Sequence, residues 1–131
     1  MGIFNNIFGE SSSKDTNQNL VRWNELTDLE QLDEIALESA QIPVVIFKHS
    51  TRCGISRMAL KGFESEYNIE IEKAKPYYLD LLNYRDISNA VADKFGVYHE
   101  SPQVILIKDG KAVYHESHGS ISAETVKNQI G

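Results

Sequence analysis

Two hydrophobic periods alternate along this chain. Val44-Val45-Ile46-Phe47 and Val104-Ile105-Leu106-Ile107 are unbroken apolar runs, each opened by a proline (Pro43, Pro102), and such runs predict strands covered on both faces. Tyr77-Tyr78-Leu79-Asp80-Leu81 after Pro76 predicts another strand, and Leu20–Leu26 a short edge strand. Between them, apolar residues recur at helical spacing: Leu29, Leu32, Ala36, Leu37 and Ala40; then Ile55, Met58, Ala59, Phe63 and Tyr67; then Ile87, Ala90, Val91 and Phe95. Thr27 with Glu30 reads as a capping box, Asn83 with Asp86 as a second helix start, and Gly96 as a stop. Asp109-Gly110 is a hairpin signal that returns the chain antiparallel through Ala112–His115, and Ser122 opens a last helix through Val126 and Ile130. The order is β-α-β-α-β-α-β-β-α. Helix-linked strands pair in parallel and the terminal hairpin pairs antiparallel, so the fold class is α/β with a central mixed sheet flanked by helices.

Residues 1–19 stand apart. Ile3, Phe4, Ile7 and Phe8 share one helical face, and Gly9 to Asn19 is a polar run with three consecutive serines, so a flexible N-terminal segment is expected before a domain at 20–131. The short apolar face suits contact with a membrane or a partner, or simply local packing. Asn6 stands where a myristoylation signal wants Ser or Thr.

Composition narrows the function. The chain has 131 residues, 41% of them hydrophobic, which suits one soluble core. A formal charge of −6 argues against a nucleic-acid binder, which needs a basic face for phosphates. No apolar run reaches the roughly 20 residues of a membrane span, and no basic-then-apolar leader opens the chain, so a cytoplasmic protein is expected. Cys53 is the one cysteine, which excludes an internal disulfide or a cysteine-rich zinc module.

Cys53 falls just past the end of a central strand, at the start of a helix. Sites of open α/β sheets lie at the carboxyl ends of strands. A helix N-terminus offers unpaired N–H groups and partial positive charge, both of which favour a thiolate. Arg52 beside it and His49 four residues earlier add positive charge, and Gly54 leaves the flank of the thiol open. An inert buried cysteine is the commoner fate of a free thiol, but the polar surroundings of Cys53 point to a reactive one. Lys48, by strand alternation, is expected on the face opposite His49 and in solvent.

The run Lys48-His49-Ser50-Thr51-Arg52-Cys53-Gly54-Ile55-Ser56, the Ser101-Pro102 step and the terminal hairpin plus helix together resemble a thioredoxin-like domain. Within that superfamily the chain is similar to the monothiol bacilliredoxin family of YtxJ type over about residues 20–131. Family members often carry proline directly after the cysteine, where this chain has Gly54. The resemblance implies a thiol–disulfide oxidoreductase that removes bacillithiol from S-bacillithiolated proteins during oxidative stress, with bacillithiol as co-substrate, no metal, and a monomer as the working form. Cys53 would take bacillithiol as a mixed disulfide, and a second bacillithiol would free it, because Ser56 occupies the place of a resolving cysteine. Ser56 either donates to the thiolate or is an ordinary first-turn serine. The resemblance also implies a cis bond at Pro102 that fixes the loop, and a Ser101 backbone offered to the substrate across from the thiol. Thr51 and His49 would flank the bound thiol. Gly119-Ser120 either supplies N–H groups to a carboxylate of the small thiol or is only a turn.

Three other readings compete. Cys-Gly-Ile-Ser is similar to the Cys-Gly-Phe-Ser motif of monothiol glutaredoxins, which carry iron–sulfur clusters, but His118-Gly119-Ser120-Ile121 stands where that family has a Gly-Gly-x-Asp loop. A thioredoxin-like adaptor would have an unreactive Cys53. Metal binding by His49, His99, His115 and His118 is the weakest, since His115 and His118, three apart on a strand, point to opposite faces.

Overall fold

The computed structural model describes residues 21–131. The apolar N-terminal face and the polar run after it lie outside the described residues. In order, the elements are β1 (Asn24–Glu25), α1 (Glu30–Glu38), β2 (Val44–His49), α2 (Gly54–Glu66), β3 (Lys75–Asp80), α3 (Arg85–Phe95), β4 (Gln103–Lys108), β5 (Lys111–Ser117), a 3-10 turn (His118–Ser120) and α4 (Ala123–Ile130). The five strands lie in the order β1-β3-β2-β4-β5. β2 is parallel to β3 and antiparallel to β4, which makes the sheet mixed as the connections require.

β2 is buried at every position because each face of the sheet is covered. Val44 and Ile46 pack with Leu32, Ile35, Ile87 and Val91 under α1 and α3, whereas Val45 and Phe47 pack with Phe63, Tyr67 and Val126 under α2 and α4. Strand alternation thus divides one apolar run between two cores. The hairpin turn has positive φ at both Asp109 (53°) and Gly110 (76°), the geometry that makes Asp-Gly its favoured sequence. Gly96 ends α3 in the left-handed conformation, and Ser122 caps α4 by accepting from the Thr125 amide at 3.3 Å.

Several local expectations are corrected. The edge strand shrinks to two residues, held by its pairing to Tyr77 and Tyr78. Thr27 does not cap α1. The Gln31 side-chain oxygen instead accepts from the Thr27 and Asp28 amides at 2.8 and 2.9 Å, and Asp28 accepts from Glu30 at 3.0 Å. The buried stripe of α1 is Leu32 and Ile35, leaving Leu29, Leu37 and Ala40 exposed. Asn83 turns back to Asp80 rather than capping α3. On α2, Ser56 and Phe63 face the sheet, as does Tyr67 just past its end, while Ile55 and Met58 are exposed at 62% and 76%. Lys48 is fully buried, because α3 and the 97–102 loop close over that face of β2.

Candidate active site

The site is built at the carboxyl end of β2. After His49 the chain turns through Ser50-Thr51-Arg52, and Cys53 sits half-buried as the N-cap residue of α2 with extended backbone angles (φ −107°, ψ 124°). Its amide donates to the Ser50 carbonyl at 3.1 Å and its carbonyl accepts from the Arg57 amide at 3.0 Å, so the Cys53 backbone is fixed to both the turn and the helix.

Beneath it lies a small polar network. Ser56 is fully buried; its Oγ accepts from the Ser50 amide at 2.9 Å and lies 2.8 Å from Nδ1 of His49. The hydroxyl therefore pins the turn to the end of the strand and is bonded to His49 and Ser50, not to the thiol. His49 is buried against the Tyr78 ring, and burial lowers its pKa below the usual histidine value, opposed by the charge of Asp80 on the neighbouring strand. A neutral imidazole facing Ser56 is not the nearby cation expected from the sequence, because desolvation disfavours its charged form. Arg52 is exposed in the turn.

The Ser101-Pro102 peptide is cis. β4 pairs with β2 up to Lys48↔Gln103, and continuing that antiparallel register places Pro102 beside His49 and Ser101 beside Ser50. The loop before β4 therefore borders the turn that carries Cys53. Its other side is tied to the 3-10 turn, where the His118 amide donates to the Pro102 carbonyl at 3.0 Å. Gly119 and Ser120 lie in that turn, ahead of α4. Gly119 lines a groove of about 400 Å³ with Ile55, Met58, Ala59, His118 and Ile121. Among the described residues no group of three or more His, Cys, Asp or Glu is arranged to hold a metal ion.

A structure-based comparison finds the same architecture in several solved proteins. A thioredoxin-fold protein assigned as an oxidoreductase matches at TM-score 0.69 and 28% identity, over 86% of this chain and 95% of its own. Thioredoxin from Malassezia sympodialis matches at TM-score 0.63 and 18% identity, over 84% and 89%. Spinach chloroplast thioredoxin f matches at 0.60 and 16%, over 88% and 90%. At these last identities the likeness is one of fold. The family model of the monothiol bacilliredoxin BrxC matches residues 24–126. The chain belongs to the monothiol bacilliredoxin family. It is a monothiol redox protein of thioredoxin-like fold, with Cys53 as its only thiol.

This bacilliredoxin carries three polar residues near the site that sequence reasoning passed over or misplaced. Arg57 reaches back over the turn, with Nη1 3.4 Å from the Thr51 carbonyl, and Lys61 follows one turn later. Their spacing of four from Cys53 was a signal available in the sequence. Lys48 was expected in solvent. Its Nζ instead lies buried 3.0 Å from Nδ1 of His99, and burial lowers its pKa from 10.5 to about 8. His99 accepts that bond on the loop leading to Pro102, so Lys48 ties this loop to β2 from the face opposite His49.

Proposed function

We propose that this bacilliredoxin removes bacillithiol from S-bacillithiolated proteins through a mixed disulfide on Cys53. The Cys53 thiolate attacks the bacillithiol sulfur of the mixed disulfide. The protein–bacillithiol S–S bond breaks, the protein cysteine leaves as a thiolate, and bacillithiol stays disulfide-bonded to Cys53. A second bacillithiol thiolate then attacks the bacillithiol sulfur on Cys53, giving bacillithiol disulfide and free Cys53. Each step exchanges one S–S bond for another, and the net oxidation falls on bacillithiol.

The observation that carries this reading is Ser56 at the third position after Cys53, buried and bonded to His49 and Ser50, in a chain with no other cysteine. No second thiol of the chain can close a disulfide with Cys53, so release must come from an external thiol. Cys53 is the nucleophile; Arg52 and Gly54 flank it without blocking it. Ser101 offers its backbone to the substrate on one side, with Thr51 and His49 shaping the other, and no metal takes part. Gly119 lines the groove beside Ile55 and Met58 of α2 and serves the protein partner rather than the small thiol; Ser120 follows it in the 3-10 turn. The working form is a monomer in the cytoplasm, where bacillithiol is available.

Intact mass after brief exposure to bacillithiol disulfide, beside glutathione disulfide, tests this directly. A rapid single bacillithiol adduct, released by added bacillithiol and slower to form with glutathione, is expected. The absence of an adduct with either disulfide would overturn the reading in favour of a silent thioredoxin-like adaptor.

A further inference from the structure

We propose that Arg57 and Lys61 form a carboxylate-binding subsite beside Cys53, holding the acidic end of a low-molecular-weight thiol while its sulfur is bonded to Cys53. This rests on the bacillithiol reading above and states how the carried molecule is recognised.

Cys53, Arg57 and Lys61 are spaced by four, so from the N-cap they climb one stripe of α2, with the Arg57 and Lys61 backbones about 6 and 12 Å up the axis and the Arg57 guanidinium folded back towards the turn. That is the reach of a small molecule anchored at the thiol. Arg57 Nη2 stands 3.9 Å from the point where a Cβ on Gly54 would sit, next to the residue that follows the thiol. Its charge also reaches His49, whose protonated form it disfavours. Arg57 and Lys61 line a shallow cavity of about 810 Å³ with His49, Gly54, Ile55 and Glu64. Cavities of a few hundred to about a thousand Å³ suit small ligands.

The charge balance of the cavity is uneven. Its one acidic residue, Glu64, already accepts from the Trp23 indole N–H at 2.7 Å. Among the described residues the ion pairs are Lys75–Glu38 and Lys94–Asp33, so neither Arg57 nor Lys61 has a carboxylate of its own there. In a chain of net charge −6, two unmatched cations stand on the stripe that begins at the only thiol. A guanidinium fork matches a carboxylate through two parallel hydrogen bonds, and an ammonium one turn on supplies a second, less directional contact. Bacillithiol carries two carboxylates on its malyl group, separated from its sulfur by the sugar, and so presents acid at a distance from the thiol.

The test compares rates of adduct formation by intact mass with two disulfides, bacillithiol disulfide and cystamine, which has no carboxylate. In both, the Cys53 thiolate attacks one sulfur, the S–S bond breaks, one half stays on Cys53 and the other leaves as a thiolate. The wild-type protein is expected to prefer bacillithiol disulfide, with the preference shrinking at high salt. The double variant Arg57→Gln, Lys61→Gln is expected to lose about tenfold in rate with bacillithiol disulfide while its cystamine rate holds or rises. An equal fall with both disulfides would place the effect on the thiol and overturn the subsite, as would an unchanged preference. Either result leaves the bacillithiol reading standing if the wild-type protein reacts with bacillithiol disulfide. A wild-type protein that reacts with cystamine alone would overturn both.

Discussion

Lys48 and His49 are neighbours on β2 and point to opposite faces, and both are buried. Lys48 has a single neutral partner, His99, and its cross-strand neighbour Gln103 keeps a buried amide oxygen without a hydrogen bond. Burial that lowers the lysine from 10.5 to about 8 corresponds to about 3 kcal/mol of stability missing at neutral pH. Between about pH 8 and 10 the unfolded chain binds the extra proton, so stability rises with pH and the deficit shrinks. Above that range the buried Tyr67, raised to about 12, acts in the opposite sense, since its hydroxyl ionises first in the unfolded chain. Lys48→Met should therefore be more stable than the wild-type protein at pH 7, with the difference narrowing towards pH 10 in urea titrations. A difference that stays constant with pH would show that Lys48 is not held below its usual pKa. Ser56 makes the complementary case. Ser56→Ala strands the Ser50 amide and His49, and should cost about 1–3 kcal/mol in urea unfolding. Because its hydroxyl touches neither the thiol nor solvent, the variant should still form the Cys53 adduct, and loss of the adduct in a folded protein would restore a direct role for Ser56.

At the scale of elements, strands and stop signals were more legible than helix starts. The runs 44–47 and 104–107 are too apolar to lie anywhere but inside the sheet, and Asp109-Gly110 has few other uses. The starts of α1 and α3 differ because Asp28, not Thr27, accepts from the Glu30 amide, and because the Asn83 side chain donates to Asp80 instead of accepting from an α3 amide. A capping motif states what a side chain is able to bond, not which competitor wins. Ile55 and Met58 were misread for a related reason. Their spacing fits a helix face, but the face turned to the sheet is set one residue over by Ser56, which the network under the thiol requires. The start of α2 permits a direct test of Gly54. Cys53 is already extended, as a residue before proline must be, and Gly54 is the first helical residue, where proline is preorganised. An added Cβ meets only the Arg57 side chain, at 3.9 Å. Gly54→Pro should fold and gain about 0.4–1 kcal/mol through the unfolded state, read as a rise in urea midpoint. A loss of stability would mean that the Gly54 amide is needed as a donor.

At the scale of the whole molecule, the mixed sheet places three chain segments distant in sequence at one end: the turn after β2, the cis-proline loop before β4 and the 3-10 turn after β5. Cys53 and Ser101-Pro102 were legible because motif and element order mark them together. The spacing of Arg57 and Lys61 from Cys53 is in the sequence, but their lack of a carboxylate partner is visible only once the pairing of Glu64 with Trp23 is known, and the burial of Lys48 only once α3 and the His99 loop cover it. In this architecture the proposed transfer runs through one sulfur, that of Cys53. The most direct measurement mixes the protein one-to-one with an S-bacillithiolated protein and reads the intact mass of both, beside the Cys53→Ser variant. The bacillithiol mass is expected to leave the partner and appear once on this chain, the partner to regain a free thiol, and added bacillithiol to clear Cys53 as bacillithiol disulfide. A partner that keeps its bacillithiol, or transfer that proceeds equally with Cys53→Ser, would contradict the proposed transfer.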